Sequence, residues 1–126
     1  MKRCKMRVGM VGGGGGNSFF GAPHRRAILM DNSAELTAGA LRSDPAAALA
    51  SAEELFFERG YGHWGDLVAG EAARPEGDRI DYLTIVTPND AHAGPAEAAA
   101  GAGIGVLCEK PLTPTLDEAR RLHAAV

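Results

Sequence analysis

Arg7-Val8-Gly9-Met10-Val11-Gly12-Gly13-Gly14-Gly15-Gly16-Asn17 is the stretch that decides the fold: a short, mostly apolar run ending in five consecutive glycines. A parallel strand covered by helices on both faces reads as a continuous apolar run rather than an alternating one. Glycines directly after it allow a turn too tight for side chains and leave backbone N–H groups open to an anion. Gly12 and Gly14 fit the first two positions of G-x-G-x-x-G, where a side chain would block the turn or the approach of a pyrophosphate. Gly15, Gly16 and Asn17 continue the same loop and are expected to contribute to it. The third small position is left open, because the loop through Gly21 exceeds the minimal fingerprint and the next helix is expected to begin at Ala22 or Pro23. Phe19 and Phe20 in that extension either cover a ligand or anchor the loop on the core. Glycine richness also suits a flexible loop with no ligand, and proteins that bind S-adenosylmethionine use a similar turn. The loop alone therefore does not settle what is bound.

Outward from this turn, three more apolar runs read as strands, at residues 36–41, 81–86 and 104–107. Helical stretches lie between them, at 23–30, 45–57, 65–73, 93–102 and 116–125. Asp44-Pro45 supplies an N-cap followed by proline in the first turn. Thr115 with Glu118 three residues on is a capping box. Residues 61–64 suit either a short fifth strand or a turn. Strict alternation of strand and helix specifies the α/β class: a Rossmann-type, doubly wound parallel sheet in three layers, α/β/α. The 126 residues fit one nucleotide-binding domain spanning 1–126. The apparent helix at its end, where a doubly wound sheet commonly runs on, leads us to expect a C-terminal substrate and oligomerisation domain that this chain lacks.

At 45% hydrophobic and 23% charged residues with a formal net charge of -3, the chain resembles ordinary globular proteins. That balance argues against nucleic acid or a membrane surface as partner. No apolar run approaches the about 20 residues that cross a bilayer. Cys4 and Cys108 are isolated, so neither a disulfide framework nor a zinc site is expected, and His24, His63, His92 and His123 lack metal-ligand spacing. The basic N-terminal lead has no apolar stretch of signal-peptide length. A cytoplasmic setting is the expectation.

At the end of the second strand, dinucleotide-binding proteins usually place an acid that accepts hydrogen bonds from the adenosine ribose. Here Leu41 takes that position and Arg42-Ser43 follow. A guanidinium beside a hydroxyl suits a 2′-phosphate, so NADP is favoured over NAD. Asp44 stands near enough to replace the missing acid if the loop bends. Of the remaining histidines, His63 beside Trp64 reads as a packed surface feature, and His24 as a structural residue of the first helix.

Two further loops sit at strand ends: Thr87-Pro88-Asn89-Asp90-Ala91-His92 and Cys108-Glu109-Lys110-Pro111. With the glycine turn and His24 they occur in an order that resembles the glucose–fructose oxidoreductase / inositol dehydrogenase / rhizopine catabolism (Gfo/Idh/MocA) family, across essentially the whole chain. The resemblance implies an N-terminal NAD(P)-binding domain of an oxidoreductase. Such enzymes move hydride to or from a hydroxyl carbon of a sugar, cyclitol or related substrate, and a homo-oligomer is expected for the full-length protein. It implies that Lys110 is catalytic, close to the nicotinamide and the substrate hydroxyl, where an ammonium stabilises oxyanion character as hydride leaves. It places Glu109 on the cofactor ribose, Thr87, Pro88 and Asn89 beside the nicotinamide-side ribose and phosphates, and Pro111 in the turn. His92 is either a hydrogen-bonder at a helix start or a cofactor contact. The family's proton-transferring residues come from its second domain, so this chain alone is expected to bind cofactor without turnover, and an exposed sheet edge is expected to favour self-association. The alternative is a non-catalytic NAD(P)-binding regulator of the same fold, against which the presence of Lys110 argues.

Overall fold

The computed structural model describes residues 4–15 and 18–126; Gly16 and Asn17, both expected at the cofactor, lie outside the described residues. The strands are β1 (Met6–Gly12), β2 (Ala34–Ala40), β3 (Arg59–Gly60), β4 (Tyr82–Val86) and β5 (Gly105–Cys108). They pair in parallel in the order β3-β2-β1-β4-β5. The helices are α1 (Gly21–Leu29), α2 (Pro45–Glu54), α3 (Trp64–Ala72), α4 (Ala93–Gly101) and α5 (Leu116–Ala125). Strand β3 lies just ahead of the stretch that suits either a short strand or a turn, and residues 61–63 form the turn into α3.

Two apolar clusters make the three layers. Val8 and Met10 of β1 pack with Ile28 of α1 and Ala52 of α2 on one face. Val11, Leu83 and Ile85 pack with Leu67 of α3, Ala96 and Ala99 of α4 and Leu122 of α5 on the other. Successive strand residues point to opposite faces, so one strand feeds both clusters. Leu36 and Ala38 of β2 break that rule, lying in different clusters although two residues apart. The register explains it: Val8 pairs with Leu36 and Gly9 with Ala38, so buried Thr37 is an extra residue, a bulge that flips the side chains after it.

Helix ends follow local chemistry. Asp44 Oδ2 accepts the Ala47 N–H at 2.8 Å, capping α2. Thr115 and Glu118 form the reciprocal capping box of α5. Helix α2 stops short of Phe57 because Phe56 adopts a left-handed conformation (φ 60°) that ends the helix and turns Phe57 back into the core. At the amino ends of the strands, fully buried Glu71 receives Arg59 through Nε at 2.8 Å and Nη2 at 2.9 Å, the Tyr61 hydroxyl at 2.9 Å and the Ile80 N–H at 3.0 Å. That network ties α3 to the sheet at the edge opposite the glycine turn.

Candidate functional site

The first wall of the site is the glycine turn after β1. Gly12 and Gly13 have φ of 78° and 80°, a region that side chains disfavour. A Cβ on Gly12 would lie 2.9 Å from both the N and the Cγ2 of Thr87, so the turn closes directly onto the tip of β4. Gly14 has a different task. Its N–H donates to the Leu41 carbonyl at 3.1 Å, and a Cβ there would lie 2.5 Å from that of Leu41. It fastens the turn to the tip of β2 and stands behind the wall rather than in it. The small residue left open by the sequence is Gly21, the first of α1: a methyl there would overlap the Gly13 carbonyl oxygen and sit 2.7 Å from Gly13 Cα. Helix α1 therefore begins at Gly21, ahead of Ala22 and Pro23, and runs against the turn. Arg25, one helical turn on, donates to the Gly13 carbonyl at 2.6 Å. Burial, and then neighbouring Arg26, lower its pKa.

The tip of β2 forms the second wall. Leu41 is buried, while Arg42 and Ser43 are exposed. The Arg42 guanidinium lies over Gly15, close enough that a Cβ on Gly15 would be 3.3 Å from Nη2. Among the described residues Arg42 has no carboxylate partner. Asp44, weighed as a replacement acid, has one carboxylate oxygen committed to the α2 cap.

The tips of β4 and β5 are joined by two histidines. His92 is fully buried, with Nε2 3.0 Å from the Thr87 carbonyl and Nδ1 2.8 Å from that of Pro111. Both ring nitrogens face carbonyl oxygens, so the ring staples one loop to the other and presents no free nitrogen to a ligand. His24 reaches across from α1: its Nε2–H donates to Glu109 Oε1 at 2.6 Å, and the buried Thr84 hydroxyl donates to Nδ1 at 3.2 Å. The His24 hydrogen bond lowers the Glu109 pKa, helped by the Lys110 amide and charge. Glu109, expected on a ribose, is thus engaged with α1. Burial, reinforced by the Glu109 carboxylate, pushes the Cys108 thiol up to about 11. Lys110 is exposed at the same edge.

These walls enclose a cleft of about 920 Å³. Gly12, Gly13 and Gly15 line it with Arg42, Ser43, Thr87 and Pro88, all at carboxyl ends of parallel strands. Phe19 and Phe20, His63 and Trp64 also line it. Gly14, Asn89, His92, Glu109 and Lys110 do not, although the last four share its edge. The sequence suggests only a packed surface feature for His63 beside Trp64; the signal available for a place in the cleft was an aromatic pair directly ahead of a helix. The cleft fits a dinucleotide diphosphate on two counts. Gly12 and Gly13 line it in a left-handed turn that presents no side chain to it. The Thr87 hydroxyl oxygen is buried with no hydrogen-bond partner among the described residues, a polar atom that a ligand can satisfy.

A parallel sheet with a glycine-turn cleft at its topological switch point defines a dinucleotide-binding α/β domain. Residues 6–126 match the model described as oxidoreductase family, NAD-binding Rossmann fold, and the chain belongs to this Gfo/Idh/MocA family. It is 39% identical over 122 residues to the uncharacterised oxidoreductase YfiI of Bacillus subtilis, covering 94% of this chain and 30% of that one. It is 43% identical over 75 residues to an NADP(+)-dependent D-xylose 1-dehydrogenase of Haloferax volcanii, covering 60% of this chain and 21% of that one. An inositol dehydrogenase homologue from Azotobacter vinelandii, solved with NADH and myo-inositol, superposes with a TM-score of 0.87 at 41% identity, over 96% of this chain and 32% of that one. The chain spans about a third of the length of the first and last of these relatives. No helix among the described residues is long and apolar enough to cross a membrane.

Proposed function

We propose that this cleft binds NADP(H) in preference to NAD(H), and that the chain is the cofactor half of an oxidoreductase acting on a hydroxyl carbon of a sugar or cyclitol. The observation that carries the reading is the convergence of the glycine turn, the Arg42-Ser43 tip and the Thr87-Pro88 tip on one cleft. Arg42 stands over the turn without a counter-charge among the described residues, Leu41 replaces the acid that would accept from a ribose hydroxyl, and one oxygen of Asp44 is engaged as a cap. A 2′-phosphate supplies the anion that such a site lacks. The D-xylose relative named above uses NADP(+), which favours the same choice.

When bound, the nicotinamide supplies the hydride acceptor or donor. The residues of this chain bind and orient. Gly12, Gly13, Gly15 and Arg25 set the anion-binding turn, with Gly16 and Asn17 as its proposed continuation. Thr87, Pro88 and Asn89 form the rim towards β5. His24 and His92 hold the loop that carries Glu109, with Lys110 proposed to contact the substrate hydroxyl. Residues beyond this chain complete the substrate pocket, and the full-length assembly is proposed to be a homo-oligomer.

Isothermal calorimetry tests the cofactor choice. NADP+ should bind more tightly than NAD+, and Arg42→Ala should weaken NADP+ roughly 10- to 100-fold while leaving NAD+ within about twofold. Equal losses for the two cofactors, or tighter NAD+ in the unaltered chain, would refute the preference. Cofactor reduction across a panel of sugars and cyclitols by the polypeptide containing this domain, with Lys110→Ala as control, tests the reaction.

A further inference from the structure

Building on the reading of Lys110 given above, we propose that His24 is a positioning residue: tied to buried Thr84 on one side, it holds the Glu109 carboxylate on the other and so sets where Lys110 stands relative to the glycine turn. His24 lies in the first turn of α1, between Gly21 and Arg25. That turn is locked to the glycines after β1, because Gly21 packs on Gly13 and Arg25 donates to the Gly13 carbonyl at 2.6 Å. The same turn reaches the loop after β5 through His24, whose Nε2–H donates to Glu109 Oε1 at 2.6 Å. One rigid turn of helix therefore fixes the β5 loop against the anion-binding turn. The imidazole is itself oriented. Thr84 is fully buried on β4, which lies between β1 and β5, and its hydroxyl donates to Nδ1 at 3.2 Å. That bond selects the tautomer with its proton on Nε2, the one able to donate to a carboxylate.

Lys110 is flanked by two anchors and engaged by neither. Ahead of it, Glu109 is held by His24; after it, the Pro111 carbonyl lies 2.8 Å from Nδ1 of fully buried His92. Lys110 between them is exposed and has no ion-pair partner among the described residues. A single anchor fixes the path of a loop; anchors on both sides of its one unengaged side chain fix where that side chain starts. Stability alone gives a poor account of His24. A largely buried imidazole–carboxylate pair gains little over apolar packing of the same volume, because desolvation offsets the attraction. Positioning gives a better account. A group that meets a reacting hydroxyl is productive only within about 0.5 Å of its proper place. A displacement of about 1 Å can cost about 100-fold in rate.

Two measurements on this chain test the bond and its consequence. Long-range proton–nitrogen NMR spectra should show Nε2 of His24 protonated; an unprotonated Nε2 would remove the donor and overturn the inference. Backbone nitrogen relaxation should give the Lys110 amide an order parameter of about 0.85, falling below about 0.6 in His24→Phe. His24→Gln, which keeps an N–H donor, should restore most of that order. Glu109→Ala breaks the same bond from the loop side and should loosen Lys110 as much, so the test stands even if His24→Phe does not fold. An unchanged Lys110 order parameter in Glu109→Ala, or in folded His24→Phe, would overturn the inference. In the polypeptide containing this domain, His24→Phe should lower kcat roughly 10- to 100-fold while the Kd for NADP+ stays within about twofold. On a Lys110→Ala background it should lower kcat no further. Losses that multiply would show that His24 acts apart from Lys110 and overturn the inference. A silent Lys110→Ala with the relaxation result intact would instead overturn the reading of Lys110 as catalytic.

Discussion

Replacing Gly21 by alanine should damage both the fold and the cleft, and the structure sets the size of the effect. The added methyl would meet only backbone: 2.7 Å to Gly13 Cα, 2.8 Å to its carbonyl carbon, and an overlap with the carbonyl oxygen. Carbon atoms in contact sit about 3.5–4.0 Å apart, so the overlap is roughly 1 Å and no side chain can swing away from it. Helix α1 must retreat from the turn by about that distance. Overpacking of this kind costs about 1–3 kcal/mol, against about 0.5–1 kcal/mol gained by alanine in a helix. The net loss is about 1–2 kcal/mol, or roughly 4–10 °C in Tm for a domain of this size. Gly101, at the end of α4, is the matched control: nothing lies within 4 Å of its virtual Cβ. Gly101→Ala should raise Tm by about 2–4 °C. Differential scanning calorimetry reads both variants, and titration with NADP+ should show Gly21→Ala weakened by about tenfold or more, since the helix start moves off the anion site. A Gly21→Ala chain that melts and binds like the parent would show that the contact between α1 and the turn is not what holds the site in shape.

Three other outcomes are expected. Glu71→Gln should lower stability at pH 7 by about 2–4 kcal/mol in urea unfolding, because it removes the charge that Arg59 and Tyr61 converge on. Burial raises the Glu71 pKa, but the Arg59 and Tyr61 hydrogen bonds outweigh it and leave the pKa depressed. Its contribution is therefore complete above the ordinary glutamate range and lost as pH falls through the folded value, so Glu71→Gln should flatten the acid limb; an unchanged limb would contradict this. His92→Phe fills the same space but removes the ring nitrogens that face the Thr87 and Pro111 carbonyls, to one of which a neutral imidazole donates its single N–H, for a loss of about 1–3 kcal/mol; a melting curve matching the parent would mean that bond is idle. With its pKa pushed up to about 11, Cys108 is ionised in roughly one molecule in a thousand at pH 8. A thiol reagent should label exposed Cys4 first and Cys108 only slowly until the chain unfolds, and two equally fast equivalents would refute that.

Much of the fold was legible in the chain because its signals are local. A parallel strand covered on both faces must be apolar throughout, so β1, β2, β4 and β5 stood out, while β3, two residues long, carries too little apolar surface to register. Asp44 and Thr115 announced their helices because a cap bonds only a few residues ahead. The extra residue at Thr37 left no trace, since a bulge exists only relative to the strand beside it. For the same reason the sequence placed Glu109 on a ribose and left His92 open between a hydrogen-bonder at a helix start and a cofactor contact: motif and spacing say which loop a residue occupies, not what it touches.

By itself, then, the order of residues determined that strands and helices alternate, that glycines end the first strand, and that the loops of interest fall at carboxyl ends. Each of these follows from short-range sterics and from the periodicity of burial. The folded chain alone decided which groups remain available to a ligand. His24 is matched to Glu109 across 85 positions, Gly21 is required by Gly13, one oxygen of Asp44 is held by its helix, and Arg42 is left without a carboxylate among the described residues. Those assignments arise from competition for hydrogen bonds and space between segments remote in sequence, and that competition is resolved only when the segments meet.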